Sequence, residues 1–344
     1  MVRSSVSATS GWLKTLRRQN AALNETADLV KPRLAQVDRL IAEKLHQGPA
    51  PVQEAGAWVL QAGGKRLRPT VLLAAARALG CEGDAAVTYA AVVEMIHTAT
   101  LAHDDVIDVA QTRRGRPSPN VIWGNHTSVL AGDWLYMQAF QVTLRERNFE
   151  VLDLLISLTQ RMVEGELLQL ELIGSIGVSE ADYMELVDRK TASLFSSCAR
   201  LGAMVAGAGE QWVTRLGEFA WNLGMAFQLV DDVLDFTARE KVLGKPVGND
   251  LREGKVTLPL IYALETAGPE DRKLVETVLE EGNYDRVPFR SVLEMMERRR
   301  GVERVMERAQ MFTGKARTIL GEFPESPYQK ALYAVTDLVT DRDH

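Results

Sequence analysis

The sequence predicts an all-α protein that folds as a single domain. Helix-forming residues dominate the 344-residue chain, and alternating runs of β-branched residues are scarce. Apolar residues recur at helical spacing over 27–45, 151–173 and 292–312. No linker rich in glycine, proline or serine divides the chain into two domains. We therefore expect about a dozen helices joined by short loops.

Glycine and proline mark the ends of the predicted helices along the chain. The breaks fall at 80–83, 115–125, 174–179, 207–209, 244–254 and 268–269. The longest irregular stretch, 239–259, is a candidate mobile flap. Residues 1–20 are rich in serine and contain no acidic residue, which predicts a disordered extension or a targeting segment. The folded domain is then expected to span 21–344.

The composition is typical of a globular protein and argues against nucleic-acid binding. The chain is 46% hydrophobic and 25% charged, with a formal net charge of −6. No uncharged apolar run approaches the length of a membrane span, so we expect no stable span. Two cysteines, Cys81 and Cys198, are too few for a disulfide framework, which predicts a reducing compartment and a cytoplasmic location.

Two acidic motifs of the same form carry the first functional signal. They are HDDVID at 103–108 and VDDVLD at 230–235, each within a strongly apolar predicted helix. Helical spacing places Asp104 and Asp108 one turn apart with Asp105 leaning to the same side, and His97 falls on the same stripe. Carboxylates packed this closely repel each other unless a cation compensates them, and Mg²⁺ is the obvious candidate. A solvated acidic face is the alternative for either motif alone.

Basic residues flank both acidic motifs and predict an anionic ligand. Lys65 and Arg68 follow two glycines, and Arg113 and Arg114 follow the first acidic motif. Further cations are Lys190, Lys245 and Lys255. Arginine suits bidentate phosphate binding, and lysine acts as a point charge. Each cluster alone is also consistent with a solvated surface, and RGRP alone is consistent with a DNA minor-groove hook.

Taken together, the motifs resemble those of the trans-isoprenyl diphosphate synthases, most closely the long-chain enzymes. The resemblance runs from about residue 40 to the C-terminus. It rests on GGKRLRP, EMIHTATLAHDDVID with RRGRPS, GDWLY, EGELLQL, KTASLF, FQLVDDVLD and GKPVGNDLREGKVTLPL. It implies a bundle of antiparallel helices around a deep central cavity, usually assembled as a homodimer.

The resemblance also implies a role for each candidate residue. A cluster of about three magnesium ions would hold the allylic diphosphate, with three aspartates from the two motifs binding the ions and the other three assisting. The binding aspartates would be Asp104, Asp108 and Asp231, and the assisting ones Asp105, Asp232 and Asp235. The allylic diphosphate would also contact Arg113, Lys190, Thr191, Gln228, Lys245 and Lys255. Isopentenyl diphosphate would contact Lys65, Arg68, His97 and Arg114.

The implied reaction is head-to-tail prenyl transfer. The allylic C–O bond ionises as charge on the departing pyrophosphate is stabilised, and the carbocation alkylates isopentenyl diphosphate. The catalytic residues would be Asp104, Asp108, Arg113, Lys190 and Asp231. No protein nucleophile is needed, and the chain contains no nucleophile–base motif.

Two small residues before the first aspartate predict a long product. Short-chain members of the family often carry bulky aromatic residues there, whereas this chain has Ala99 and Thr100. Helical spacing supports Thr100, and the weight on Ala99 comes from the resemblance. We expect a hexaprenyl to decaprenyl product, with a geranylgeranyl or farnesyl product as the alternative. A class I terpene cyclase and a regulatory subunit of a heteromeric synthase are further alternatives, although GGKRLRP with RRGRP and two intact acidic motifs disfavour them.

Overall fold

A computed structural model of the chain describes residues 29–61, 66–237 and 247–340. The predicted all-α class is confirmed, since the described residues are largely helical. The first helices are α1 (29–45), α2 (Ala50–Gln61), α3 (Leu67–Ala78), α4 (Ala85–Ile107), α5 (Pro119–Arg145), α6 (Phe149–Leu172), α7 (Glu180–Val187), α8 (Ser193–Val205) and α9 (Glu210–Thr237). They are followed by α10 (Asn249–Arg252), α11 (Leu258–Glu265), α12 (Pro269–Glu281), α13 (Phe289–Arg298), α14 (Gly301–Leu320) and α15 (Pro327–Thr340).

One hydrophobic core holds the described residues together. It extends from Val30 in α1 to Val339 in α15, which agrees with a single-domain architecture. Helices joined by short connections pack side by side, as α3 does on α4 and α8 on α9, which makes them antiparallel neighbours. Helix α4 also packs on α5, across the longer connection 108–118. The predicted extension 1–20 and the predicted domain start at residue 21 lie outside the described residues.

Helix α4 is the central helix of the bundle and carries the first acidic motif at its C-terminal end. It packs against α3, α5 and α8. Among the described residues it is the one helix long and apolar enough to cross a membrane, but 72% of that apolar window is buried inside the fold. Core burial therefore explains its apolar composition. Both cysteines are free thiols, and the cytoplasmic location stays a prediction.

The apolar periodicity over 292–312 belongs to two helices, so the continuous helical pattern was misleading. Helix α13 ends at Arg298 and α14 begins at Gly301, and Arg300 between them is left-handed with φ 57°. Each helix buries its own apolar stripe, which includes Met295 in the first and Val305 in the second. Only two residues, Arg299 and Arg300, separate the helices, and each helix has its own helical apolar spacing, so local spacing alone did not reveal the break.

A β-hairpin that sequence analysis did not predict follows the first acidic motif. Strands β1 (Thr112–Arg113) and β2 (Arg116–Pro117) are antiparallel, with Arg113 opposite Arg116. Both turn residues have positive φ, 52° at Arg114 and 73° at Gly115, as a type I′ turn requires. The Trp58 indole of α2 donates to the Pro117 carbonyl over 2.9 Å, and this contact ties the hairpin to the bundle.

Helical geometry is interrupted at two places, and one of them carries residues of the predicted site. The predicted break near 115–125 corresponds in part to a kink inside α5, where Gly124 has φ 81°. A π-helical turn, Asp188–Ala192, joins α7 to α8 and carries Lys190 and Thr191. Gly224 of α9 packs against this turn so closely that an added Cβ would lie 2.7 Å from the Ala192 Cα. Glycine is therefore required there.

Candidate active site

The three aspartates of the first motif lie in different environments at the C-terminal end of α4. Asp104 is half-buried, and Asp108 caps the helix with its side chain 16% exposed. Asp105 was expected on the same stripe but is fully buried, and its Oδ1 accepts from Arg113 Nε over 2.6 Å. A 100° rotation per residue turns Asp105 toward the hairpin. Arg113 compensates this buried carboxylate, so the structure gives Arg113 a partner other than the predicted diphosphate.

Burial makes the ionised form of Asp104 unfavourable. Burial raises its pKa to about 6, with Glu166 and Asp108 adding to the effect and Lys190 and Arg113 opposing it. Asp108 has a direct partner, because Lys255 Nζ lies 3.0 Å from its Oδ1. Burial alone would lower the pKa of Lys255, yet the carboxylates of Asp108 and Glu253 raise it above its ordinary value.

The second motif lies near the C-terminal end of α9 and is divided in the same way. Asp231 is exposed, whereas Asp232 and Asp235 are buried. Asp232 accepts from the Tyr183 hydroxyl over 2.6 Å and from Gln228 Nε2 over 2.7 Å. Asp235 Oδ2 accepts from the backbone N–H of Asp250 over 3.1 Å. Burial, followed by the charge of Asp250, raises the pKa of Asp232 well above its ordinary value.

A cavity of about 240 Å³ brings much of the predicted allylic site together. It is lined by residues from α6, α7, the π-helical turn, α9, α10 and the segment after α10. The predicted residues among them are Lys190, Thr191, Gln228, Asp231, Asp232 and Lys255. Lys255 also pairs with Asp108, so one ammonium group connects this cavity to the first acidic motif.

A hydrogen-bonded chain fixes the polar wall of this cavity. The Thr191 hydroxyl donates to Gln228 Oε1 over 2.9 Å, and the same amide donates to Asp232. Lys190 forms an ion pair with Glu166 and donates to Gln169 Oε1 over 3.0 Å. Sequence analysis missed four of the residues involved: Glu166, Gln169, Tyr183 and Asp250. The first two stand in the quoted EGELLQL motif, and Asp250 stands in GNDLREGK, so these motifs could have suggested them.

The described residues among those predicted to bind isopentenyl diphosphate, Arg68, His97 and Arg114, form a separate cationic cluster near the start of α3. Arg68 Nη1 donates to His97 Nε2 over 3.1 Å, and its guanidinium stacks on Phe195 at 5.0 Å. Burial and then four nearby guanidinium groups, beginning with Arg68 and Arg114, hold the pKa of His97 well below its ordinary value. The imidazole is therefore neutral and accepts from Arg68. Arg68 Nε is buried and has no hydrogen bond among the described residues.

The remaining predicted residues have varied placements. Lys65 and Lys245 lie outside the described residues, as do residues 239–246 of the predicted flap. The flap residues that are described include the short helix α10. Ala99 is fully buried in the core, and Thr100 is half-buried with its hydroxyl donating to the His97 carbonyl over 2.7 Å.

The carboxylates of the two acidic motifs suit a hard divalent cation that is bound by protein carboxylates and by a phosphate ligand together. Among the described residues, no three carboxylate, imidazole or thiol groups converge into a preformed metal cage. Magnesium needs no such cage, since it takes one or two carboxylates and completes its coordination with water and substrate phosphates. Burial raises the pKa of Asp104 because it disfavours the ionised carboxylate. A bound cation of this kind would stabilise that carboxylate.

Comparison with known proteins identifies the class. The polyprenyl synthetase family model matches residues 49–296. The chain is 38% identical over 321 residues to the octaprenyl diphosphate synthase of Escherichia coli, covering 93% of this chain and 99% of the relative. It is 33% identical over 325 residues to a short chain isoprenyl diphosphate synthase of Methanothermobacter thermautotrophicus, with coverage of 93% and 99%.

Solved structures agree with the sequence relatives. A polyprenyl synthase from Caulobacter crescentus, crystallised with calcium and isoprenyl diphosphate, superposes with a TM-score of 0.89 at 36% identity. The match covers 93% of this chain and 98% of that one. The chain belongs to the polyprenyl synthetase family. The predicted family, the all-α isoprenoid synthase fold and the prenyltransferase class of enzyme are thereby confirmed.

Proposed function

We propose that this prenyltransferase is a magnesium-dependent, long-chain trans-polyprenyl diphosphate synthase that condenses isopentenyl diphosphate with an allylic diphosphate such as farnesyl diphosphate. One observation carries the proposal. Lys255 pairs with Asp108 of the first motif and lines the cavity that also contains Asp231 of the second. Both acidic motifs therefore border one site, beside a second cationic cluster around Arg68 and His97. Two adjacent anion sites suit two diphosphate substrates.

The site residues have distinct tasks in the proposed reaction. Magnesium, when bound, would neutralise the charge that develops on the departing pyrophosphate. Asp104, Asp108 and Asp231 would hold it, and Lys190 and Lys255 would turn from their carboxylate partners toward the oxygens of the diphosphate. Arg68 and Arg114 would seat isopentenyl diphosphate, whose double bond attacks the allylic carbon as the C–O bond breaks. The new C–C bond leaves a tertiary cation on C3 of the isopentenyl unit, a proton then leaves the adjacent C2 to form the new allylic double bond, and the released pyrophosphate is a suitable acceptor.

The magnesium assignment predicts a large loss of activity when either motif loses a charge. Asp231→Asn should lower kcat by about 100-fold or more, because metal-assisted charge stabilisation supplies several kcal/mol and each 1.36 kcal/mol is tenfold in rate. Steady-state kinetics across a range of magnesium concentrations measures this. Asp153→Asn, an exposed change on α6, is the matched control. Equal rates for the two variants would rule out the assignment of Asp231.

An exposed apolar stripe supports the proposed homodimer. Leu130, Met137 and Leu144 repeat every seven residues on α5 and are 62%, 62% and 44% exposed. On α6, Phe149, Ile156, Val163 and Leu170 repeat at the same interval with exposures of 67%, 48%, 54% and 47%. Adjacent helices with a seven-residue apolar repeat form a surface that a second copy of the same helices can cover.

The elongation assay tests the proposed function. The purified protein is incubated with farnesyl diphosphate, labelled isopentenyl diphosphate and Mg²⁺, and the products are separated by chromatography. The expected products are hexaprenyl to decaprenyl diphosphates. Products that stop at geranylgeranyl diphosphate would contradict the long-chain assignment. Cyclised hydrocarbon formed without isopentenyl diphosphate would indicate a terpene cyclase, and no elongation would indicate a non-catalytic subunit.

A further inference from the structure

A buried carboxylate in the middle of α4 lies outside the acidic motifs and outside the roles assigned so far. Glu94 is only 5% exposed, and its Oε2 accepts from Arg66 Nη1 over 2.5 Å. Arg66 also pairs with Asp38 of α1 over 3.0 Å. Burying a carboxylate is unfavourable unless a partner compensates it. A glutamate in an otherwise apolar part of the central helix therefore indicates a specific task.

Glu94 is the buried counter-charge of the cationic cluster proposed to bind isopentenyl diphosphate. Burial lowers the pKa of Arg68, and Glu94 is the foremost group that opposes this shift. Burial and then Arg113 lower the pKa of Arg114, and Glu94 again opposes them. The nearby guanidinium groups repel one another, so without an internal anion the cluster would be electrostatically unfavourable.

The contact with Arg66 also fixes the start of α3. Arg66 stands immediately before α3 and is left-handed with φ 48°, so its backbone conformation is strained and needs support. Arg68 follows two residues later, within the first turn of that helix. The Arg66 guanidinium held by Glu94 therefore sets the position from which Arg68 reaches His97. The Nε of Arg68 has no hydrogen-bond partner within the described part of the chain.

Helix α4 contains a second buried carboxylate that is paired with an arginine. Asp105 lies eleven residues after Glu94, which is close to three helical turns, and it holds Arg113 of the hairpin as Glu94 holds Arg66. Each buried carboxylate of α4 thus binds the first arginine of a basic loop. The next arginine along the chain in each case, Arg68 or Arg114, is one of the residues predicted to contact isopentenyl diphosphate.

We infer that Glu94 is a positioning residue of the isopentenyl diphosphate subsite. It does not touch the substrate. It holds Arg66 and thereby presents Arg68 and Arg114 to the diphosphate. This inference rests on the proposed function, because it assigns the cluster around Arg68 to that substrate.

The test compares the KM values of the two substrates in Glu94→Gln. This substitution keeps the size and one acceptor but removes the charge that holds Arg66. We expect the KM for isopentenyl diphosphate to rise about tenfold, which corresponds to roughly 1.4 kcal/mol, with the KM for farnesyl diphosphate and kcat within about twofold of wild type. Removing a negative charge near a bound anion would by itself strengthen binding. An unchanged or lower KM for isopentenyl diphosphate would therefore overturn the inference.

Two further variants keep the test independent of folding defects. Arg66→Met removes the same ion pair from its half-buried end and should raise the same KM even if Glu94→Gln is poorly folded. Asp38→Asn removes only the exposed partner of Arg66, so it is the matched control and should leave both KM values unchanged. If Arg66→Met and Asp38→Asn behave alike, the buried contact has no positioning role. Wild-type protein that fails to elongate would contradict the proposed function instead.

Discussion

At the scale of single residues, Asp104 destabilises the folded protein at neutral pH when no metal is bound. Burial raises its pKa from the ordinary value of 3.8 to about 6, so the folded state binds the proton more tightly than the unfolded state does. The stability linked to this proton is fully present below about pH 4 and is lost as the pH rises through about 6. The carboxylate is thus placed for ligand binding at the expense of stability.

Asp104→Asn should therefore stabilise the metal-free protein, and the gain should depend on pH. The melting temperature in the presence of a chelator should exceed that of wild type at pH 8, and the difference should shrink as the pH falls toward 4. Thermal unfolding followed by circular dichroism at several pH values measures this. Asp153→Asn, on the exposed side of α6, should give no such difference. A gain of the same size at pH 4.5 and pH 8 would contradict the account of Asp104.

Thr100 is the residue through which product length is best tested. It is half-buried one turn before Asp104, whereas Ala99 is fully buried in the core, where a larger side chain would meet close packing. Thr100→Phe should shorten the products by several isoprene units, as chromatography of the elongation products would reveal. Thr100→Val removes the hydroxyl with little change of size and should leave product length unchanged. Unchanged lengths in Thr100→Phe would disprove the hypothesis that a small residue at this position allows a long product.

At the scale of elements, the π-helical turn Asp188–Ala192 carries Lys190 and Thr191 into the site. Gly224 lets α9 approach this turn, since an added Cβ would lie 2.7 Å from the Ala192 Cα. Gly224→Ala should displace Lys190 and Thr191 and lower kcat by about tenfold or more, because small displacements of catalytic groups reduce rates strongly. Gly314→Ala is the matched control, because no atom lies within 4 Å of its added Cβ. It should keep full activity and gain up to about 1 kcal/mol of stability. Full activity in both variants would refute this role of Gly224.

The elements that sequence analysis predicted are those with long-range periodicity. Helix α4 and the two acidic motifs followed from apolar spacing and charge, and the family motifs supplied the order of the basic residues. The hairpin at 112–117 was missed because two-residue strands have no period to detect. The turn at Arg300 was missed because it separates by only two residues two helices that each have helical apolar spacing.

The site predictions could not include side-chain orientations that depend on contacts between residues distant in sequence. The orientation of Asp105 depends on Arg113, and that of Asp232 depends on Tyr183, and neither contact follows from helical spacing. Glu94 did have a signal, since it is the one acidic residue in the apolar run AAVVEMI. Its task could be inferred only after Arg66 was seen to reach it.

At the scale of the whole molecule, the apolar stripe on α5 and α6 predicts dimerisation. Met137→Glu would place a charge in the middle of the proposed interface at a position that is 62% exposed, so the protomer should still fold. We expect the variant to elute as a monomer, measured by size-exclusion chromatography with light scattering, while wild type elutes as a dimer. Met311→Glu, at an exposed apolar residue on α14 that is 52% exposed, is the control and should remain dimeric. A monomeric wild type would contradict the dimer proposal.

The central claim is that both acidic motifs and the cations between them form one diphosphate site. A crystal structure of the protein with Mg²⁺ and a non-hydrolysable analogue of farnesyl diphosphate tests this most directly. The account predicts diphosphate density between Asp104, Asp108 and Asp231, with Lys255 moved from Asp108 toward the diphosphate. Diphosphate density elsewhere, with Lys255 still paired to Asp108, would contradict it.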